Sequence, residues 1–203
     1  HYLTTQANQT IETALSANGR ISIQWRPKVS EGVVDQSLTV RSTAMLDVQE
    51  DGLRLVWRVA LEFRRGERDT FRLFLPPDYL VTQVAGGNVR GWEVKPADSK
   101  QQLEVRLLKP AKDQEQFDVH LWRCGRVGAQ DLAKFDVPQV IVQDAALHHG
   151  SLIIRRSPLL DVRTETTQGV ARTDLPSGSP DDLALSVESP LGIRPMAAYK
   201  FAA

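Results

Sequence analysis

Residues 52–64 read GLRLVWRVALEFR. The odd positions are Leu53, Leu55, Trp57, Val59, Leu61 and Phe63, all large and apolar. The even positions are Arg54, Val56, Arg58, Ala60, Glu62 and Arg64, mostly charged. Side chains on a strand alternate between faces with period two, so the six apolar groups share one face. A helix at about 100° per residue would scatter them around its circumference. The stretch therefore predicts a long, half-buried antiparallel strand with a core face and a wet face. A slip of one residue would put six large apolar groups in water, which fixes the register.

Working outward, Asp51-Gly52 is a hairpin signal, because glycine tolerates positive φ. Before it, Val40, Ala44, Leu46 and Val48 repeat the two-residue period. After it, Arg65-Gly66-Glu67 reads as a turn into Phe71, Leu73 and Leu75. The expectation is a three-stranded meander over residues 37–75. Further strands are expected at Tyr79–Val84, Val89–Val94, Leu103–Leu107, Phe117–Leu121, Val137–Val142, Gly150–Arg156, Leu159–Thr164 and Leu183–Val187. Pro76-Pro77-Asp78, Gly86-Gly87-Asn88 and Lys109-Pro110 punctuate them. Upstream, Asn18-Gly19 suits a hairpin turn into Ile21, Ile23 and Trp25. Tyr199 and Phe201 also fall at strand spacing. No convincing helix longer than ten residues appears. Many short strands at this spacing predict an all-β, mostly antiparallel β-sandwich with little helix.

For domain organisation, residues 1–124 read as the sandwich core. Residues 125–134, GRVGAQDLAK, are the candidate internal boundary. Residues 135–203 supply further strands, either on the same sandwich or as a small second β unit. The Gly-, Ser-, Thr- and Pro-rich stretch within 166–181 is expected to be a mobile loop.

The chain has 203 residues, 41% hydrophobic and 25% charged, enough for a sizeable core. Its formal net charge is zero, without the basic excess of a nucleic-acid binder. No apolar run reaches the roughly 20 residues of a membrane helix, so direct membrane insertion is not expected. The single cysteine, Cys124, allows no internal disulfide.

Chemistry-bearing motifs are sparse. No phosphate loop, dinucleotide fingerprint, EF-hand or nucleophile elbow is present. His120, Trp122 and Cys124 alternate with the apolar stripe Phe117, Val119 and Leu121. His148 and His149 add imidazoles that could complete a zinc site. On one strand, however, residues four apart lie roughly 13 Å from each other. His120 and Cys124 therefore cannot touch, and neither a metal nor any other cofactor is expected. Asn8-Gln9-Thr10 is a formal glycosylation sequon of the kind that arises often by chance. Trp25 and Trp57 fall on apolar faces and read as core. Trp92 and Trp122 are free to stack on a sugar ring, with His120 beside Trp122. Arg54, Arg58, Arg64 and Arg72, interleaved with Glu62 and Glu67, read as a solvated, partly self-paired face.

The expected function is a non-catalytic structural or protein-interaction module. It is expected to belong to a larger, extracytoplasmic bacterial protein of the periplasm or cell envelope. Its partners would be other domains of that protein, or another protein. The alternative is a carbohydrate-binding module for a polysaccharide, using Trp92, Trp122 and His120. A hydrolase or metal enzyme comes last.

Overall fold

A computed structural model describes residues 3–4, 11–12, 38–127, 134–175 and 192–202. The backbone separates into two units, His1–Val34 and Asp35–Ala203. In the first, β1 (Leu3–Thr4) pairs antiparallel with β2 (Ile11–Glu12). The hairpin at Asn18-Gly19, Trp25 and the sequon's Asn8 to Thr10 lie outside the described residues, as does the strand at Leu183–Val187.

The second unit is built from β3 (Leu38–Gln49), β4 (Gly52–Leu75), β5 (Leu80–Ala85), β6 (Val89–Ala97) and β7 (Lys100–Cys124). It continues with β8 (Ile141–Val142), β9 (Ala145–Arg156), β10 (Val170–Thr173) and β11 (Arg194–Ala202). The described residues contain no helix, so the chain is all-β as its periodicity predicts. The strands form one mixed sheet in the order β10-β11-β9-β3-β4-β7-β5, with β6 on β7 and β8 on β4. Among the described residues all pairings are antiparallel except β3 with β9. The strands after residue 135 thus join the same sheet as β3 to β7.

The alternation of residues 52–64 decides which side of this sheet is core. Leu53, Leu55, Trp57, Val59, Leu61 and Phe63 are all buried in one cluster with Phe71, Leu73, Leu75, Val105, Phe117, Val119 and Leu121. The hairpin forms where Asp51-Gly52 points: Gln49 pairs with Gly52 across Glu50-Asp51. Gly52 sits at φ +147, and a Cβ there would come within 2.2 Å of the Arg123 carbonyl oxygen. Gly52→Ala should therefore destabilise the domain by about 1–3 kcal/mol, read as a lowered urea midpoint.

The expected reversal at Arg65-Gly66-Glu67 does not occur. β4 runs on through it for 24 residues, and β7 runs for 25, so two long strands replace the series of short ones that the turn signals predict. Both long strands bend instead. Pairing between them shifts between Glu62 and Glu67 and again between Arg68 and Thr70. Gly66 takes φ +119 and Asp113 φ +66 inside the bend. Pro110, expected to end a strand, lies within it, as proline can at a bulge. The bend is sharp. Phe63 and Phe71 would lie roughly 26 Å apart on a straight strand, yet their rings are 6.1 Å apart. Phe71 also meets Phe117, which pairs with Val59, at 6.2 Å. The sheet thus curls over its own core as a half-barrel, and the facing layers are halves of the same two strands.

Two smaller expectations change. Leu159–Thr164 forms no strand, and Ser157 instead opens a turn closed by Leu160 N–H to Ser157 O at 3.2 Å. The expected loop at 166–181 contains β10, paired with β11.

A polar network lies within the core. Trp57 Nε1–H donates to Ser42 Oγ at 2.8 Å, and Ser42 Oγ lies 2.8 Å from His148 Nε2. Phe201 packs against both rings. Burial holds the His148 pKa below the ordinary imidazole value, with the adjacent His149 adding to the depression. The unfolded chain therefore takes up this proton first. Stability is full above the unfolded value of about 6.5 and falls as pH drops below it. Denaturation from pH 7.5 down to 5 should show this decline, and His148→Gln should make it shallower, leaving the part due to His120.

Candidate functional site

The groups that carry chemistry lie on the outer face of the sheet, at positions the core stripe leaves over. Strand register sets them in rows. Arg155, Asp47, Arg54, Trp122 and Leu80 are successive partners across β9, β3, β4, β7 and β5. The next row runs Ile153, Met45, Val56, His120 and Gln83. Between these rows lies a groove of about 380 Å³, lined among others by Met45, Gln49, Arg54, Val56, His120 and Trp122.

Its floor is apolar, with Met45 and Val56 both buried. One wall is an ion pair: Arg155 Nε and Nη2 bind Asp47 Oδ1 and Oδ2, each at 2.6 Å, with Arg155 only 1% exposed. The next row is closed by a second bidentate pair, Arg58 to Asp118 at 2.8 Å twice, whose hydrogen bond raises the Arg58 pKa. Burial pushes the His120 pKa down, against the upward pull of the Asp118 charge. Burial thus favours the neutral form of the His120 ring. At the mouth, Arg54 is half exposed and bonds Asp51 at 3.0 Å. Leu80, paired with Trp122 on the edge strand β5, is 62% exposed.

Two donors in this groove are buried and find no acceptor among the described residues: Trp122 Nε1 and Gln49 Nε2. Gln49 sits two residues along from Asp47 and opposite Gly52, which presents no side chain there.

Of the residues singled out in the sequence, His120 and Trp122 come together in this groove. Trp92 does not. It lies on the edge strand β6 opposite Val105, at the rim of the other half of the sheet, 40% exposed. His148 and His149 are on β9, three strands from His120, and His148 faces the core. Cys124 is exposed opposite Gly52. The described residues hold no group of three His, Cys, Asp or Glu placed to grip a metal ion. Of the wet-face charges, Arg72 pairs with Glu104 and Glu67 with Lys112; the Arg64 side chain is outside the described set.

Sequence reasoning missed Gln49, the Asp47–Arg155 pair and the Ser42–His148 contact. Ser42 is 1% exposed and its oxygen already accepts from Trp57, so the contact is a core hydrogen bond with no route for a substrate. Gln49 and Asp47 had a signal: they continue the odd positions Thr43 and Met45 opposite the core stripe of β3.

No protein-family model matches the chain, and no curated protein does. Among solved structures, it is similar to an M1 zinc metallopeptidase from Deinococcus radiodurans, with a TM-score of 0.48 and 13% identity. That match covers 82% of this chain and 39% of the peptidase, so the chain spans well under half of that enzyme. A non-cellulosomal cohesin from Archaeoglobus fulgidus matches with a TM-score of 0.34 and 14% identity, over 58% of this chain and 91% of the cohesin. Likenesses this distant carry nothing about activity.

Proposed function

We propose that this β fold is a non-catalytic interaction module that engages a partner protein through the groove on its outer face. The observation that supports the reading is the cluster beside the groove. Leu80 and Trp122 sit side by side at a sheet edge, with Arg54 next to Trp122 across the ladder. Tryptophan and arginine beside an apolar pocket are the residues that dominate interface energetics. Neighbouring strands hold all of them, so little ordering is needed on binding. In this reading the module serves within a larger extracytoplasmic protein, which cell fractionation would check.

The test is to pan a displayed random-peptide library on the chain. Enriched peptides should bind, and Trp122→Ala should weaken them about thirtyfold, or ~2 kcal/mol. Trp92→Ala should leave them within about twofold. A library that yields no binder, or binders indifferent to Trp122→Ala, overturns the reading.

A second reading is favoured by the shared position of Trp122 and His120 on one groove. A sugar ring could stack on Trp122 while its hydroxyls meet the unpaired donors. Tryptophan fluorescence should then shift with a polysaccharide, in the wild type and in Trp92→Phe alike. A flat response across a broad panel removes this reading.

A further inference from the structure

We propose that the outer-face groove is a carboxylate-recognition site, built to take the acidic side chain of a partner segment with its methylenes laid over Met45 and Val56. This deepens the interaction reading and rests on it. The argument begins with the two orphaned donors. Trp122 Nε1 and Gln49 Nε2 are buried, line the same groove and have no acceptor among the described residues. Gln49 is only 9% exposed, and its side-chain Nε2 finds no partner among the described residues. A buried donor without a partner is costly, and folded proteins rarely keep one without a use for it. Here two of them belong to side chains that line one groove, and a single bound group with two acceptor atoms would serve both once they turn toward it.

The donor set selects the ligand. Asp47 is the one carboxylate among the described lining residues, and both its oxygens are held by Arg155. It therefore cannot turn to satisfy the orphaned donors. At the mouth the Arg54 guanidinium is already paired with Asp51 at 3.0 Å. The site thus offers two neutral N–H donors, an ion-paired guanidinium at its rim and an apolar floor. A carboxylate has two oxygens with about four lone pairs, and hydrogen bonds to a charged acceptor are the stronger kind. A primary amide of the same shape presents one oxygen and two competing donors, so it fits less well. The volume, about 380 Å³, suits one long side chain better than a folded domain's tip.

The probe is N-acetyl-glutamate N-methylamide, titrated into ¹⁵N-labelled protein. Its isosteric control is the glutamine analogue, and inorganic phosphate is the third arm. The chain has four tryptophans, and the Trp122 indole N–H signal is the one lost in Trp122→Phe. That signal should move downfield and saturate in the millimolar range with the glutamate probe. The glutamine analogue should bind at least fivefold more weakly, and so should the glutamate probe to Arg54→Gln. Gln49→Met gives a readout that a purely structural role would not: it should raise the Tm, by removing an unpaired donor, while weakening the probe at least fivefold. An unmoved Trp122 signal, equal shifts with the two probes, tighter binding of phosphate than of the glutamate probe, or a Gln49→Met protein that is less stable yet binds normally would each overturn the proposal. The two readings fail separately. Groove-dependent peptides with no acidic preference retain the interaction module and reject the carboxylate. Probe binding with no peptide enriched does the reverse.

Discussion

Arg155→Met, with Asp47 left in place, should cost about 3–5 kcal/mol, because it strands a buried carboxylate without its counter-ion. The pair is fully desolvated on the Arg155 side and bidentate at 2.6 Å. It joins β9 to β3, the parallel pairing that brings the C-terminal strands onto the rest of the sheet. The double variant Asp47→Leu with Arg155→Met should recover most of the loss, since an apolar pair removes both charges together. Urea denaturation of the two variants measures this. If the single variant falls by less than about 1 kcal/mol, Asp47 reaches solvent and does not wall the groove.

Phe71→Ala is the second large effect, again about 3–5 kcal/mol. Phe71 is buried and touches both Phe63, on its own strand before the bend, and Phe117, on β7 beyond it. It is the side chain through which the two halves of the curled sheet meet. A cavity there has no easy route to collapse, because both neighbours are held by ladder pairing. Unfolding should stay a single transition, since both halves share the strands β4 and β7. Two separated transitions would mean that the halves fold independently.

The strand 52–64 was legible because alternation of six large apolar residues has no other economical reading. The same alternation on β7 places His120 and Trp122 on the outer face from the amino-acid order alone. The bend was not legible. Arg65-Gly66-Glu67 has the composition of a turn, and a glycine at positive φ serves a bulge as well as a reversal. What separates them is the contact of Phe71 with Phe117, which is set by packing across the fold rather than along the chain. Lys109-Pro110 misled in the same way: proline ends a strand or occupies a bulge, and local sequence does not say which. Gln49 and Asp47 lay on a face whose polarity was visible, but the burial of Asp47 depends on β9. Asp47 and Arg155 are 108 positions apart and meet through a parallel pairing, which no local pattern encodes. Trp92 and Trp122 looked equivalent as free tryptophans. The edge position of β6 separates them.

The most direct test of the outer-face groove as the working surface is an amide shift map of a panned peptide bound to the labelled chain. The perturbed amides should cluster at residues 45–49, 54–56, 80–83, 120–123 and 153–155, with the Trp122 indole among the largest shifts. Shifts centred on β6 around Trp92, with the groove silent, would contradict it.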